Sequence, residues 1–152
     1  MRLFKRNKDG SVVVRLDESQ RDVLAQLLDQ SRMLSEVDRD STWRLNPPTY
    51  EDPVEQAEYQ LDISRNYHDQ SAANDELFSS AAGLIRTTKT LSQDEAELVL
   101  AAINKVRLIL GTMANIQDDG RIEDTADERI RLLFNYYQFT TGIISYLIDA
   151  MW

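Results

Sequence analysis

Hydrophobic and polar residues alternate at the start of the chain, with the spacing of β-strands that have one buried face. Four apolar residues fall on that face: Phe4, Val12, Val14 and Leu16. The polar run NKDG separates the two strands and ends in Gly10, which tolerates a positive φ. The pattern predicts a β-hairpin over residues 1–16. Because an isolated hairpin is only marginally stable in water, we expect it to pack against helices.

A helical spacing of apolar residues follows the hairpin. Asp17 and Gln20 have the spacing of a capping box, in which each side chain accepts a hydrogen bond from the other residue's backbone. Apolar residues then recur every three or four positions as far as Val37. This pattern predicts a helix over residues 17–38.

The middle of the chain carries weaker patterns. Prolines break the helical spacing and predict a loop over residues 39–52. Residues 53–85 contain two short apolar stripes joined by the polar run SRNYHDQ, which predicts either one long helix or a pair of helices. An extended link then leads to Ser92, which forms a second capping-box pattern with Glu95.

Two strongly apolar helices are predicted at the end of the chain, over residues 92–114 and 126–151. The apolar arc of the second helix spans roughly 240°, whereas a surface helix buries an arc of about 100°. Such a helix either occupies the centre of its bundle or shares a face with a partner. The combined pattern predicts one mainly α domain over residues 1–152, in which the N-terminal β-hairpin packs on a bundle of four or five helices.

The surplus of apolar surface on the last helix favours a second subunit. Exposed clusters of large apolar side chains usually mark interfaces, and two-fold dimers are the commonest oligomers. We therefore predict a homodimer whose face consists of four residues: Phe139, Ile143, Tyr146 and Trp152. The alternative is that the hairpin and the loop over residues 40–52 cover these side chains within one chain.

A column of four residues runs along the edge of the apolar stripe in the helix before it: Leu100, Asn104, Arg107 and Gly111. Because glycine inside a helix costs ~1 kcal/mol relative to alanine, we expect another helix to approach closely at Gly111, near Gly142. We expect Arg107 to lay its stem on the core and to pair with a carboxylate. The alternative interpretation is a site for an anion or a partner.

Charge and composition narrow the functional classes. The chain has 26 acidic and 17 basic residues, one histidine and no cysteine, so disulfides and cysteine-based chemistry are excluded. Residues 1–16 hold five basic residues and one acidic residue, a net charge of +4, which leaves −13 for the rest of a chain whose total is −9. Because an acidic body repels phosphate backbones, direct DNA contact is limited to the basic end: Arg2, Lys5, Arg6 and Lys8.

Patterns that carry catalysis or bind metals are scarce. His68 lacks the partners of a catalytic triad or a di-iron bundle. The run NIQDDGRIEDTA resembles a calcium-binding loop, but Asn115 and Ala126 stand where Asp and Glu are needed. We therefore predict a protein without enzymatic activity, metal or cofactor. The alternative is an enzyme that relies on carboxylates such as Glu95 or Asp149.

Membrane insertion and export are not predicted either. The longest charge-free stretch, residues 132–148, is 17 residues long and contains polar residues, whereas a membrane-spanning helix needs about 20 mainly apolar residues. The N-terminal residues lack the apolar core of a signal peptide. We expect a cytoplasmic protein that does not bind membranes.

Two stretches, in the same order along the chain, resemble one known family. The run AAINKVRLILGTMANI, preceded by LSQDEAE, is similar to that family's Asn/Asp-Leu-Arg-Leu-x-Leu-Gly-Thr core. The opening RLFKRNKDGSVVVRLDESQRDVLAQLLDQ is similar to its basic strand, glycine turn, valine strand and Asp-capped helix. The chain resembles the actinobacterial oxidative-stress regulators (AosR-like), formerly a domain-of-unknown-function family encoded near the Clp protease adaptor. The resemblance covers both ends of the chain but little of residues 40–90.

The resemblance implies a cytoplasmic, non-enzymatic transcription regulator that acts through protein contacts. Some members of the family sense redox state through a cysteine pair and engage an extracytoplasmic-function sigma factor. This chain has no cysteine, so the thiol switch cannot be assigned to any of its residues. The alternative that the resemblance implies is an interaction protein linked to Clp proteolysis. The expected partner is accordingly a sigma factor or a proteolysis component.

Overall fold

The computed structural model describes residues 2–37, 73–117, 120–122 and 127–152, and for residues 32–37 it describes the backbone only. In chain order the elements are β1 (Phe4–Arg6), β2 (Val12–Val14), α1 (Glu18–Val37), α2 (residues 73–87), β3 (Thr90–Leu91), α3 (Gln93–Met113) and α4 (Glu128–Met151). A mainly helical chain with a small N-terminal antiparallel sheet confirms the predicted fold class. The predicted loop over residues 39–52, the first part of the predicted segment 53–85, and His68 lie outside the described residues.

The hairpin forms as the alternation predicts, and it acquires a third strand. Phe4 lies opposite Val14 across β1 and β2, and Gly10 takes a φ of 89° in the turn between them. The four predicted apolar residues, Phe4, Val12, Val14 and Leu16, are all buried. Part of the predicted extended link is β3, whose Leu91 lies opposite Val12, so the strand order is β1-β2-β3.

Both predicted capping boxes are present. The N–H of Gln20 donates to Asp17 Oδ1 at 2.7 Å, and the N–H of Asp17 donates to Gln20 Oε1 at 3.0 Å. Ser92 and Glu95 exchange the same pair of bonds at the start of α3, at 3.1 and 2.9 Å. These bonds satisfy N–H groups that the first turn of a helix leaves without partners.

The core lies between α3, α4 and the sheet, with α1 packed on α3 and β1 packed on α4. Eight residues of α3 are buried, against four of α4: Thr140, Ile143, Leu147 and Ala150. The wide apolar arc of α4 is therefore only partly covered. Three large apolar side chains of α4 remain exposed, Leu132, Tyr146 and Ile148, and so does Trp152, which directly follows the helix.

Arg21 connects three segments of the fold. Its guanidinium donates to the carbonyls of Ile85 at 2.7 Å and Thr88 at 3.1 Å, at the C-terminal end of α2. It also donates to the carbonyls of Val14 at 3.2 Å and Leu16 at 3.3 Å, where β2 leads into α1. Carbonyls at a helix end have no partner within the helix. One side chain thus caps α2 and fixes the sheet against it.

Candidate ligand groove

A groove of about 510 Å³ lies between β1 and the last turns of α4. Its volume falls within the range of small-molecule and cofactor sites, about 300–1,000 Å³. We call it the β1–α4 groove, and the described residues that line it are Arg2, Phe4, Lys5, Arg6, Tyr146, Asp149, Ala150 and Trp152.

Core packing places these side chains. Phe4 is 2% exposed and anchors β1 against α4. On α4, Ile143 and Leu147 are buried, and their spacing of four residues directs one face of the helix into the core. Tyr146 and Asp149, three residues apart, lie together on the neighbouring flank, which faces the groove. The same apolar contacts that fold the chain therefore bring its basic strand to the aromatic end of α4.

Two aromatic rings in the groove lie largely in water. Trp152 is 88% exposed and Tyr146 is 46% exposed. Tyrosine and tryptophan supply large contact areas at little conformational cost and often anchor interfaces. Beside Phe4 and Ala150, they give the groove an aromatic wall on its α4 side.

The charge of the groove is opposite to that of the chain. Arg2, Lys5 and Arg6 line it, all exposed, together with one carboxylate, Asp149. The whole chain carries −9, so an anionic group is attracted here and repelled over most of the remaining surface. Lys8, which was grouped with the other three from sequence, is exposed in the hairpin turn and does not line the groove.

The predicted column on α3 packs against α4 at Gly111 and is polar in its middle, at Asn104 and Arg107. A Cβ on Gly111 would lie 3.2 Å from Cε2 of Tyr137 and would meet nothing at Gly142, so the close neighbour is a ring of α4 and the expected approach near Gly142 is wrong. Arg107 Nη2 donates to Asn104 Oδ1 at 3.2 Å. Its Nε is buried without a partner, and within the described part of the chain no carboxylate pairs with it. Leu100, the fourth member of the column, is partly buried.

The four residues predicted as a dimer face do not form one exposed surface. Ile143 is 1% exposed and belongs to the core, and Phe139 is partly buried against it. Tyr146 and Trp152 are exposed, but they line the groove. Leu132 and Ile148, which lie outside the predicted dimer face, are exposed apolar residues of α4.

The carboxylates considered for catalysis have different environments. Glu95 is engaged in the capping box of α3, whereas Asp149 lines the groove. In the described ranges no three His, Cys, Asp or Glu residues are grouped so that they could hold a metal ion. Among the helices described, none is long and apolar enough to span a membrane.

Sequence reasoning found the groove's cations and both exposed rings, but it assigned them to separate surfaces. It mentioned Asp149 only as a catalytic alternative, and it missed Ala150 and the role of Phe4 as part of the lining. A prediction that the hairpin packs on the last helix, and not merely on helices in general, would have joined these residues.

The fold and the groove define a small, mainly α protein with an N-terminal sheet and a basic, aromatic groove along one strand. The chain belongs to the family described as Domain of unknown function (DUF2017), which matches residues 1–151. No curated protein and no solved structure matches the chain. This membership agrees with the resemblance to a domain-of-unknown-function family, whereas kinship with the oxidative-stress regulators stays a proposal.

Proposed function

We propose that this protein is a non-enzymatic, cytoplasmic regulatory protein that acts by binding another protein in the β1–α4 groove. The observation that carries the proposal is the conjunction in one groove of three cations with two exposed aromatic rings, Tyr146 and Trp152. The resemblance to oxidative-stress transcription regulators supports a role in gene regulation. Because the chain has no cysteine, its signal is something other than thiol oxidation.

The shape of the groove favours binding over catalysis. A catalytic site generally holds several polar groups in fixed positions and excludes water around the reacting atoms. Here the lining offers one carboxylate, Asp149, and its largest ring, Trp152, lies almost entirely in water. An open groove of this kind is typical of a surface that becomes buried when a partner binds.

The charge distribution favours a protein partner over DNA. Among the described residues, the basic ones that line the groove are Arg2, Lys5 and Arg6, and Asp149 lines it too. The rest of the chain is strongly acidic. DNA affinity depends on neutralising many phosphates along an extended surface. DNA contact through the four basic residues, Lys8 included, and a role in Clp proteolysis are the alternatives that the experiments below distinguish.

Gene replacement in the native host tests the regulatory role. The chromosomal copy is replaced by Lys5→Glu/Arg6→Glu, which reverses the charge of the groove, or by Lys8→Glu/Arg15→Glu, a matched charge change outside it. We expect the first variant to reproduce the transcript profile of the deletion strain and the second to match wild type. If the groove variant matches wild type while the deletion strain differs, the groove is not the regulatory surface. Circular dichroism of both purified variants controls for folding.

Site-specific cross-linking identifies the partner. A photo-reactive amino acid at position 152 is compared with one at position 132, which is exposed on the same helix but outside the groove. We expect the amino acid at position 152 to cross-link a protein of the transcription machinery. The purified cross-linked protein should bind the purified chain, and Lys5→Glu/Arg6→Glu should weaken that binding. A protease subunit or adaptor would support the proteolysis alternative instead. The DNA alternative would be supported if the chain binds duplex DNA at physiological salt and loses that binding when Arg2, Lys5, Arg6 and Lys8 are all replaced by alanine.

A further inference from the structure

The outer edge of β1 carries backbone groups that the sheet does not use. The N–H of Arg15 donates to the carbonyl of Leu3 at 2.7 Å, and the N–H of Asn7 donates to the carbonyl of Ser11 at 2.8 Å. In an antiparallel pair the residues that bond to the neighbouring strand alternate, so Leu3, Lys5 and Asn7 direct their backbone towards β2. The N–H and C=O of Phe4 and Arg6 therefore point away from β2, on the outer edge of the sheet.

The groove runs along this edge. Successive side chains of a strand point to opposite faces of the sheet, so a groove confined to one face would be lined by alternate residues only. Phe4, Lys5 and Arg6 line the β1–α4 groove in succession, which places it at the strand's edge. The last turns of α4 form its opposite wall, with Tyr146 and Trp152.

We propose that the groove binds an extended segment of a partner protein, with alternating acidic and apolar residues, as a fourth strand beside β1. This inference rests on the proposed function and specifies how that function recognises its partner. The backbone of the segment bonds to the outward N–H and C=O of the exposed Arg6 and, where the side chains that leave Phe4 only 2% exposed move aside, to those of Phe4. This is how peptides add to sheet edges. Because side chains of a strand alternate between the two faces of the sheet, the segment's acidic side chains meet Lys5 on one face. Its apolar side chains lie on the other face with Arg2 and Arg6, and they pack there on Tyr146 and Trp152.

The charges of the edge select the segment. Two β1 strands pairing across this edge would bring Lys5 and Arg6 of one copy beside those of the other, and like charges in paired strands are destabilising. Charged residues on edge strands also discourage indiscriminate pairing. An acidic strand reverses both effects. Asp149 within the groove disfavours an unbroken acidic run, which favours alternation of acidic with apolar residues.

The test uses the full-length chain, labelled with ¹⁵N, and an acetylated decapeptide in which Asp alternates with Leu. Amide hydrogen exchange is measured with and without saturating peptide. We expect exchange at Phe4 and Arg6 to slow by at least about tenfold, the effect of ~1.4 kcal/mol of protection. Exchange at Lys5, whose N–H already faces β2, is expected to change much less. Protection that maps outside β1, or equal protection at all three amides, would overturn the binding mode.

Peptide variants test the backbone and charge contributions separately. N-methylation of alternate residues removes the N–H donors of one edge of the peptide strand. Methylation in one register is expected to weaken binding at least about tenfold and methylation in the other register much less. A decapeptide with Lys in place of Asp is expected not to bind. Equal effects in both registers, or equal binding of the Lys peptide, would contradict strand addition by an acidic segment.

Protein variants complete the design. Lys5→Glu/Arg6→Glu and Trp152→Ala are expected to weaken peptide binding at least about tenfold, whereas Lys8→Glu/Arg15→Glu and Leu132→Ala leave it unchanged. A (dT)20 oligonucleotide that protects Phe4 and Arg6 better than the peptide would overturn the inference, and so would self-association that protects them without any peptide. If the peptide binds as described but the gene-replacement variant leaves transcripts unchanged, the binding mode stands and the regulatory role falls. If the peptide does not bind as described but the gene-replacement variant reproduces the transcript profile of the deletion strain, the regulatory role stands and the binding mode falls.

Discussion

Replacing Arg21 by alanine is expected to destabilise the fold much more than replacing Arg86 by alanine. Both arginines connect α1 to α2, which makes them a matched pair. Arg21 donates to four backbone carbonyls, whereas Arg86 forms an ion pair with Asp29 in which both side chains are about half exposed, at 45% and 47%. The comparison separates a charged group that caps backbone from a surface ion pair.

The expected magnitude follows from the geometry. Hydrogen bonds from charged donors contribute about 1.5–3 kcal/mol each when water is excluded. The bonds to Ile85 and Thr88, at 2.7 and 3.1 Å, are the stronger pair, and those to Val14 and Leu16, at 3.2 and 3.3 Å, are weaker. Because Arg21 is only partly buried, water replaces part of this loss. We expect ~3 kcal/mol for Arg21→Ala, about half of that for Arg21→Lys, which keeps a charged donor, and at most ~1 kcal/mol for the ion pair.

Urea unfolding followed by circular dichroism measures these differences as changes in the free energy of unfolding. For a chain of this length, 1 kcal/mol shifts Tm by about 2–4 °C, so Arg21→Ala should lower Tm by roughly 6–12 °C. The slope of free energy against urea should stay constant, because a changed slope indicates a change in the denatured or native state. If Arg21→Ala costs no more than Arg86→Ala, the carbonyl contacts of Arg21 do not hold the fold together.

Three further predictions concern other parts of the molecule. Gly111→Leu is expected to lower the free energy of unfolding in urea by ~2 kcal/mol or more, because Tyr137 leaves no room for the side chain. In Gly111→Ala, the ~1 kcal/mol gain in helix propensity is expected to offset the tight contact with Tyr137. Unaltered stability of the leucine variant would contradict this. NMR titration should give Asp9 a pKa below the ordinary value, because the hydroxyl and N–H of Ser11 donate to its carboxylate. Because the folded-state pKa of Asp9 is lowered, the ionised carboxylate stabilises the fold above the unfolded-state pKa, and this stabilisation is lost as pH falls through the folded-state pKa. Ser11→Ala should raise the pKa of Asp9. Finally, the homodimer predicted from sequence should sediment at twice 17.5 kDa. A single species near 17.5 kDa at tens of micromolar protein would contradict it.

Elements with local signals could be predicted from sequence. The hairpin follows from alternation and a glycine turn, and the starts of α1 and α3 follow from capping boxes whose partners are three residues apart, such as Ser92 and Glu95. In each case the stabilising contacts lie within a few positions of one another. Such contacts leave a pattern that a single sequence displays.

Features that depend on distant contacts could not be predicted. β3 consists of Thr90–Leu91, which is too short to show an alternation, and its pairing depends on where β2 lies. Arg21 resembles an ordinary polar residue of a first helical turn, because its partners Ile85 and Thr88 are 64 and 67 residues away. A helical-wheel projection of the α4 sequence shows a wide apolar arc, but it does not show which part of that arc the rest of the fold covers.

The candidate site was predictable in its residues but not in its assembly. Charge counting identified Arg2, Lys5 and Arg6, and the apolar arc identified Tyr146 and Trp152. Their meeting depends on the docking of Phe4 against α4, a contact between elements at opposite ends of the described chain. Composition assigns a property to each segment, and only packing combines those properties in one groove.

The two walls of the groove are about 140 positions apart in sequence, from Arg6 to Tyr146. Bringing such distant segments together carries a loop-closure entropy that local helices do not incur, so a partly folded chain in which α3 has formed still lacks the groove. A ligand that binds only the closed arrangement raises the free energy of unfolding by RT ln(1 + [L]/Kd). Occupancy of the groove and completion of the fold are therefore thermodynamically coupled, so a ligand of the groove would bind completely folded molecules in preference to partly folded ones.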